Sequence, residues 1–214
     1  MACERLNTYY PLTISISKQQ LASLPAAVYD SGAIIIDSPD AIPAAIEELK
    51  KAPVIGFDTE TRPSFRKGVS HKVSLLQLAS PERCFLFRLK TIGLSPALAA
   101  LLEDESRLKV GVSLRDDFHQ LAQLGLKEPR GFIDLQKYVK EFGIADNSLS
   151  RIHAILFGQR IAKGQRLTNW EAQVLTEAQV NYAAYDAIAC IRIYRHLQSG
   201  LFLPETSAYI KKQE

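Results

Sequence analysis

The longest uninterrupted helical stretch of this chain, Thr176–Leu197, contains the segment that most constrains the fold. Ala178–Ile191 (AQVNYAAYDAIACI) carries a single charged residue, Asp186, and is otherwise apolar or small nearly all round. A helix without a polar face has to be covered on several sides, so other layers must pack around it. An unpaired carboxylate inside such a helix is costly to ionise, so Asp186 must be protonated, paired or metal-bound. Tyr182 precedes it by four residues and shares its face, which places a phenol beside the carboxylate.

The remaining pattern supplies those layers. Gly32–Asp37 reads as a short strand, and Ser38, Pro39 and Asp40 offer helix-start chemistry for an amphipathic segment ending at Lys51. Pro43 fits that helix only in its first turn. Strands are predicted at Val54–Glu60, Lys72–Ala79 and Arg83–Leu89. The last two are separated by Ser80-Pro81-Glu82, which signals a hairpin. A helix over Leu94–Glu103, a buried strand over Leu108–Val112 and a helix over Leu114–Leu124 closed by Gly125 follow, then a short strand at Gly131–Asp134. Strands gathered early with helices interspersed later define an α/β class, a mixed sheet with helices on its faces.

At 214 residues the chain can bury roughly 70% of its unfolded surface, so neither disulfides nor a structural metal is needed to fold it. Cys3, Cys84 and Cys190 form no CxxC pair, which fits a reducing compartment. The first residues lack the layout of a signal peptide, and no stretch approaches the ~20 apolar residues of a membrane span. A cytoplasmic protein without a membrane partner is expected. With no repeat or linker, residues 1–214 read as one domain: a core over 32–200, an N-terminal extension over 1–31 packing on it, and a short tail over 201–214.

Three sites place carboxylates where burial ought to exclude them. In Val54-Ile55-Gly56-Phe57-Asp58-Thr59-Glu60, strand alternation puts Asp58 and Glu60 on one face and Ile55, Phe57 and Thr59 on the other. Two like charges there repel unless the strand emerges into solvent or a divalent cation lies between them; hard oxygen ligands suit Mg²⁺ or Mn²⁺. In the helix of Arg115-Asp116-Asp117-Phe118, the inward stripe runs through Phe118, Leu121 and Leu124. Asp117 lies at its edge, whereas Asp116 points to the opposite side with Gln120 and Gln123. Asp186 is the third site. His71, His119, His153 and His196 show no metal-ligand spacing, and Trp170 reads as a core anchor. No GxGxxG, P-loop or GxSxG pattern is present, so no nucleotide cofactor is expected.

The formal net charge of +3 says little, but its distribution says more. Thr61–Pro81 holds Arg62, Arg66, Lys67 and Lys72 with no acid; Asn147–Trp170 holds Arg151, Arg160, Lys163 and Arg166, again with none. Both windows adjoin the carboxylate sites and suit a polyanion, with solvated basic loops as the plain alternative. Arg62, Lys72, Lys163 and Arg166 would be the contacts to such a polyanion.

Taken in order, the DxE strand, Val110-Gly111-Val112-Ser113-Leu114-Arg115-Asp116-Asp117 at a strand-to-helix junction, and Tyr182-Ala183-Ala184-Tyr185-Asp186 resemble the three motifs of the DEDD 3′–5′ exonucleases. The tyrosine four residues before the last Asp marks the tyrosine subclass, and Leu167-Thr168-Asn169-Trp170 with Leu175-Thr176 is similar to the Werner-type domain. The resemblance covers about residues 32–200. It implies a ribonuclease H-like mixed sheet of five or six strands flanked by helices. It further implies Asp58, Glu60, Asp117 and Asp186 as ligands of two divalent cations, Mg²⁺ or Mn²⁺, with Tyr182 orienting the attacking water. The expected activity is hydrolysis of a polynucleotide, DNA rather than RNA, from its 3′ end to nucleoside 5′-monophosphates. A ribonuclease D-like exoribonuclease is the alternative, and an inactive nucleic-acid-binding module a third reading. His119 departs from the Werner-type pattern, which has an aromatic residue at that position.

Overall fold

The computed structural model of the chain describes residues 12–28, 32–66, 68–162 and 164–211. In chain order the elements are α1 (Lys18–Ser23), β1 (Ile34–Ile36), α2 (Ile42–Leu49), β2 (Ile55–Thr61), β3 (Val73–Ala79), β4 (Cys84–Phe87), α3 (Leu89–Ile92) and α4 (Pro96–Glu103). They continue with β5 (Lys109–Gly111), α5 (Leu114–Ala122), β6 (Phe132–Asp134), α6 (Leu135–Tyr138), α7 (Leu149–Phe157) and α8 (Glu177–Gln198).

The strands form one six-stranded sheet in the order β1-β4-β3-β2-β5-β6. β3 pairs antiparallel with both β2 and β4, and the other neighbours pair parallel. The mixed sheet follows from local chemistry. Ser80 closes the β3–β4 hairpin by donating its N–H to the Arg83 carbonyl at 2.8 Å while its Oγ accepts from the N–H groups of Glu82 and Arg83. Parallel partners need crossovers, and α4 and α5 supply them around β5.

Element starts and stops also obey local signals. Thr176 and Gln179 form a reciprocal capping box at the head of α8. Gly125, at φ +105°, ends the turn after α5, where the Leu126 N–H reaches back to the Leu121 carbonyl. Pro43 sits in the first turn of α2, as required; Ser38, however, makes no side-chain cap and opens a 3-10 turn, Pro39–Ala41, ahead of the helix.

The sheet has a core on each face. Ile55, Phe57, Leu76, Leu78, Phe85 and Phe87 pack under α2, α4 and α5. The other face, with Leu75, Ala79, Leu86 and Val110, is covered by α7, α8 and Trp170. Ile14 and Ile16, ahead of α1, are fully buried in that second core, where Ile14 bridges both Ile144 and Ile210. α8 is therefore enclosed as its composition demands: Ala183, Ala184, Ala187, Ala189 and Ile193 have no exposed surface. Trp170 is fully buried, and His153 is satisfied inside the protein, its Nδ1 2.9 Å from the Gln159 carbonyl and its Nε2 2.8 Å from Tyr185 Oη. Among the described residues no helix is long and apolar enough to cross a membrane.

Candidate active site

Two glycines let three elements meet. A Cβ on Gly56 in β2 would stand 2.0 Å from the Ala187 carbonyl oxygen, so only a bare backbone lets α8 lie this close to the strand. A Cβ on Gly111 would meet Leu114 at 2.5 Å and the Phe57 carbonyl at 2.9 Å, so the turn into α5 needs the same economy. Ser113 caps α5 in the left-handed region, φ +64°, the one non-glycine described there. Its N–H donates to Asp134 Oδ1 at 3.1 Å, which holds the strained turn that aims the first turn of α5 back at β2.

The four carboxylates meet at this junction. β2 changes from buried to half-buried between Phe57 and Asp58, so Asp58 and Glu60 emerge at the strand's C-terminal end rather than being sealed. Asp117 is half-buried and Asp116 exposed, as the helix stripe requires. Asp186 alone among the four is fully enclosed, at 6% exposure. The expectation that burial excludes all four is thus corrected: a strand end and a helix start open at the cleft, and only the central helix is closed off.

Their electrostatics report mutual proximity. Burial, then Asp186, Asp117 and Glu60 in turn, push the Asp58 carboxyl well above the usual carboxylate range, against a 2.9 Å hydrogen bond from the Thr59 N–H. Burial and Asp186 push Glu60 up to about 8, with Arg166 opposing. Burial raises Asp117 to about 6, opposed by a short hydrogen bond in which Thr59 Oγ1 donates to Asp117 Oδ1. Burial raises Asp186, opposed by a hydrogen bond from Tyr182. The Tyr182 phenol is itself held protonated by burial and by the neighbouring carboxylates. Carboxylates this crowded favour the charged form only beside a cation.

Among the described residues no three His, Cys, Asp or Glu side chains are gathered tightly enough to enclose a metal ion. The donor set nonetheless fits one class of ion. It is all carboxylate oxygen, which suits Mg²⁺ or Mn²⁺ and not a softer metal. A cavity of about 180 Å³ opens at Asp58, Tyr182, Asp186 and Cys190, with Arg166 and Ser148 on its rim.

The basic windows divide. Arg166 is exposed, lines the cavity and acts on Glu60. Lys72 is exposed at the start of β3, and Lys163 lies outside the described residues. Arg62 is 3.3 Å from Glu171, which also accepts from Lys90 at 2.8 Å and faces His71 at 3.7 Å. Glu171 stands one residue beyond the second acid-free window, which is why the sequence pattern did not reveal it. Thr59, Gly56, Gly111 and Ser113 also escaped it, because each acts through a contact across the fold.

A ribonuclease H-like sheet with carboxylates from its central strand, a helix start and a buried helix defines a nuclease class. The chain matches the family described as 3′–5′ exonuclease over residues 33–201, and it belongs to that family, within the DEDD superfamily. It is 32% identical over 155 residues to the bifunctional 3′–5′ exonuclease/ATP-dependent helicase WRN of Mus musculus, covering 70% of this chain and 11% of that protein. It is 35% identical over 162 residues to exonuclease 3′–5′ domain-containing protein 2 of Mus musculus, covering 70% and 25%. The chain thus spans a quarter or less of the length of these two relatives. In fold it is similar to Escherichia coli RNase D, an exoribonuclease involved in structured RNA processing, with a TM-score of 0.71 at 24% identity, covering 80% of this chain and 45% of that one.

Proposed function

We propose that the chain hydrolyses a polynucleotide from its 3′ end, releasing nucleoside 5′-monophosphates, with Asp58, Glu60, Asp117 and Asp186 holding two divalent cations, Mg²⁺ or Mn²⁺. The observation that carries this reading is Asp58, half-buried at the cleft and acted on by the three other carboxylates. Such a pair of cations, when bound, supplies Lewis-acid assistance to both ends of an in-line displacement at phosphorus. The chain's own residues supply position. On this reading the site is of the tyrosine subclass: Tyr182 keeps its proton and donates to Asp186, so its phenol orients a water at that carboxylate. Thr59 fixes Asp117 from the far face of β2. Arg166, which lines the cavity, is the best-placed phosphate contact; Lys72, exposed ahead of β3, is a second candidate, and Lys163 remains one on the charge pattern of the sequence alone. Arg62 contributes only in so far as it leaves Glu171.

DNA is the proposed substrate, supported by the likeness to the exonuclease/helicase relative. The fold likeness to RNase D supports RNA as the second reading. Matched 5′-labelled DNA and RNA oligonucleotides with Mn²⁺ test both. Shortening from the 3′ end by wild type, reduced roughly 100-fold or more in Asp58→Ala and Asp186→Ala, is the expected result. Equal activity in all three proteins would overturn the assignment, and faster loss of the RNA ladder would replace DNA by RNA.

A further inference from the structure

Gln77 lies in the middle of β3 with no exposed surface, and neither its Nε2 nor its Oε1 has a hydrogen-bond partner among the described residues. An unsatisfied buried polar group costs about 1–3 kcal/mol, which a leucine or methionine of similar volume would avoid. Every other residue of β3 except Ser74 is apolar, so the strand could accommodate one.

Its position suggests what the amide is for. The β2–β3 register sets Gln77 directly opposite Asp58. Strand alternation puts Gln77 on the same face as Leu75 and Ala79, both of which belong to the core beneath α8. Directly opposed residues bring their Cβ atoms to about 4.5–5.5 Å, and a glutamine side chain easily spans what remains. Asp58 Oδ1 already accepts from the Thr59 N–H at 2.9 Å, which fixes one oxygen but leaves the plane of the carboxyl free to turn about that bond. A lysine or arginine at position 77 would also reach Asp58, but its charge would compete with a cation for the carboxylate. An amide donates without adding charge.

We propose that Gln77 is a positioning residue for Asp58: unpartnered in the metal-free chain, its Nε2 turns to donate to the facing Asp58 carboxylate when that carboxylate takes a divalent cation, and fixes the orientation in which the ion is held. The proposal rests on the reading of Asp58 as a metal ligand. Groups that orient metal-binding side chains typically change metal affinity or activity by about 10–100-fold when removed.

Gln77→Met and Gln77→Leu test it on the full chain with three readouts: the metal-free melting temperature, Mn²⁺ affinity by calorimetry without nucleic acid, and exonuclease kinetics. The expected signature is a metal-free melting temperature equal to or above that of wild type, Mn²⁺ affinity weakened about 10–100-fold, and a lower kcat with KM for the oligonucleotide unchanged. Unchanged Mn²⁺ affinity in either folded variant would overturn the proposal, as would a lowered melting temperature or failure to fold in both, because the amide would then serve the core. The underlying reading fails differently: Asp58→Ala would bind Mn²⁺ as well as wild type does, and the role given to Gln77 would fall with it.

Discussion

Phe57 and Asp58 are neighbours on β2, and their side chains enter two different kinds of interior. Phe57 is 1% exposed and packs edge-on against Phe132 and tilted against Phe118, at centroid separations of 5.2 and 6.1 Å. Nothing on that side of β2 is polar until Thr59 reaches Asp117. Asp58 faces the opposite way, among Gln77, Asp186 and Tyr182, under a helix that a single added methyl group on Gly56 would displace. The first interior is built for stability, whereas the second spends stability on crowded carboxylates and an unsatisfied amide. Substitutions on the two faces should therefore move stability and activity in opposite senses.

The largest expected contrast is between Phe57→Ala and Asp186→Asn. Deleting the Phe57 ring from a packed aromatic cluster should cost about 3–5 kcal/mol and lower the melting temperature steeply, while the protein that remains folded keeps its nuclease activity. Asp186→Asn keeps the shape, removes a buried acid whose charged form burial disfavours, and should leave the metal-free protein as stable as wild type or more so. Its activity should fall roughly 100-fold or more. Thermal melts and oligonucleotide assays on both variants decide it; a destabilised Asp186→Asn would mean that the carboxylate supports the helix rather than the chemistry.

Gly56→Ala probes the seam between the faces. The new methyl carbon would lie 2.0 Å from the Ala187 carbonyl, a backbone atom that cannot swing aside, so α8 must shift away from β2. A loss of about 1–3 kcal/mol is expected. Because α8 also carries Tyr182 and Asp186, activity should drop beyond what the unfolded fraction accounts for. Wild-type turnover in the folded fraction would show that the spacing of α8 from β2 is not what positions Asp186.

The two interiors also differed in how well the sequence disclosed them. Local signals announced the apolar one: the Ser80-Pro81-Glu82 turn and Gly125 after α5 are both written within four residues of where they act. Asp117 was separable from Asp116 because helix periodicity alone decides which of two neighbours faces inward. The supports of the other interior act across the fold. Gly56 matters through Ala187, Thr59 through Asp117, Ser113 through Asp134, and Glu171 through Arg62, His71 and Lys90. Gln77 did leave a trace, a lone amide in Val73-Ser74-Leu75-Leu76-Gln77-Leu78-Ala79, but its meaning depends on the register that sets it against Asp58.

The smallest effect concerns Glu60, and it is visible only as a function of pH. Its folded-state pKa of about 8 lies above the ordinary 4.5, so between those values the folded chain binds more protons here than the unfolded chain does. The stabilisation this gives is complete below about pH 4.5 and is lost as pH rises through 8. Glutamine does not titrate, so Glu60→Gln should match wild type in metal-free stability near pH 5. It should exceed wild type increasingly towards pH 8 and stay level above it. The half-buried position limits the gain to about 1 kcal/mol, or roughly 2–4 °C in a chain of this size. Saturating Mn²⁺ should reverse the order near pH 8, because the cation stabilises the wild-type carboxylate and finds one ligand fewer in the variant. Thermal melts of both proteins from pH 5 to 9, with and without Mn²⁺, test the two signs together. A difference that stays constant with pH would place Glu60 in ordinary solvent, outside the carboxylate group that sets this face of β2 apart.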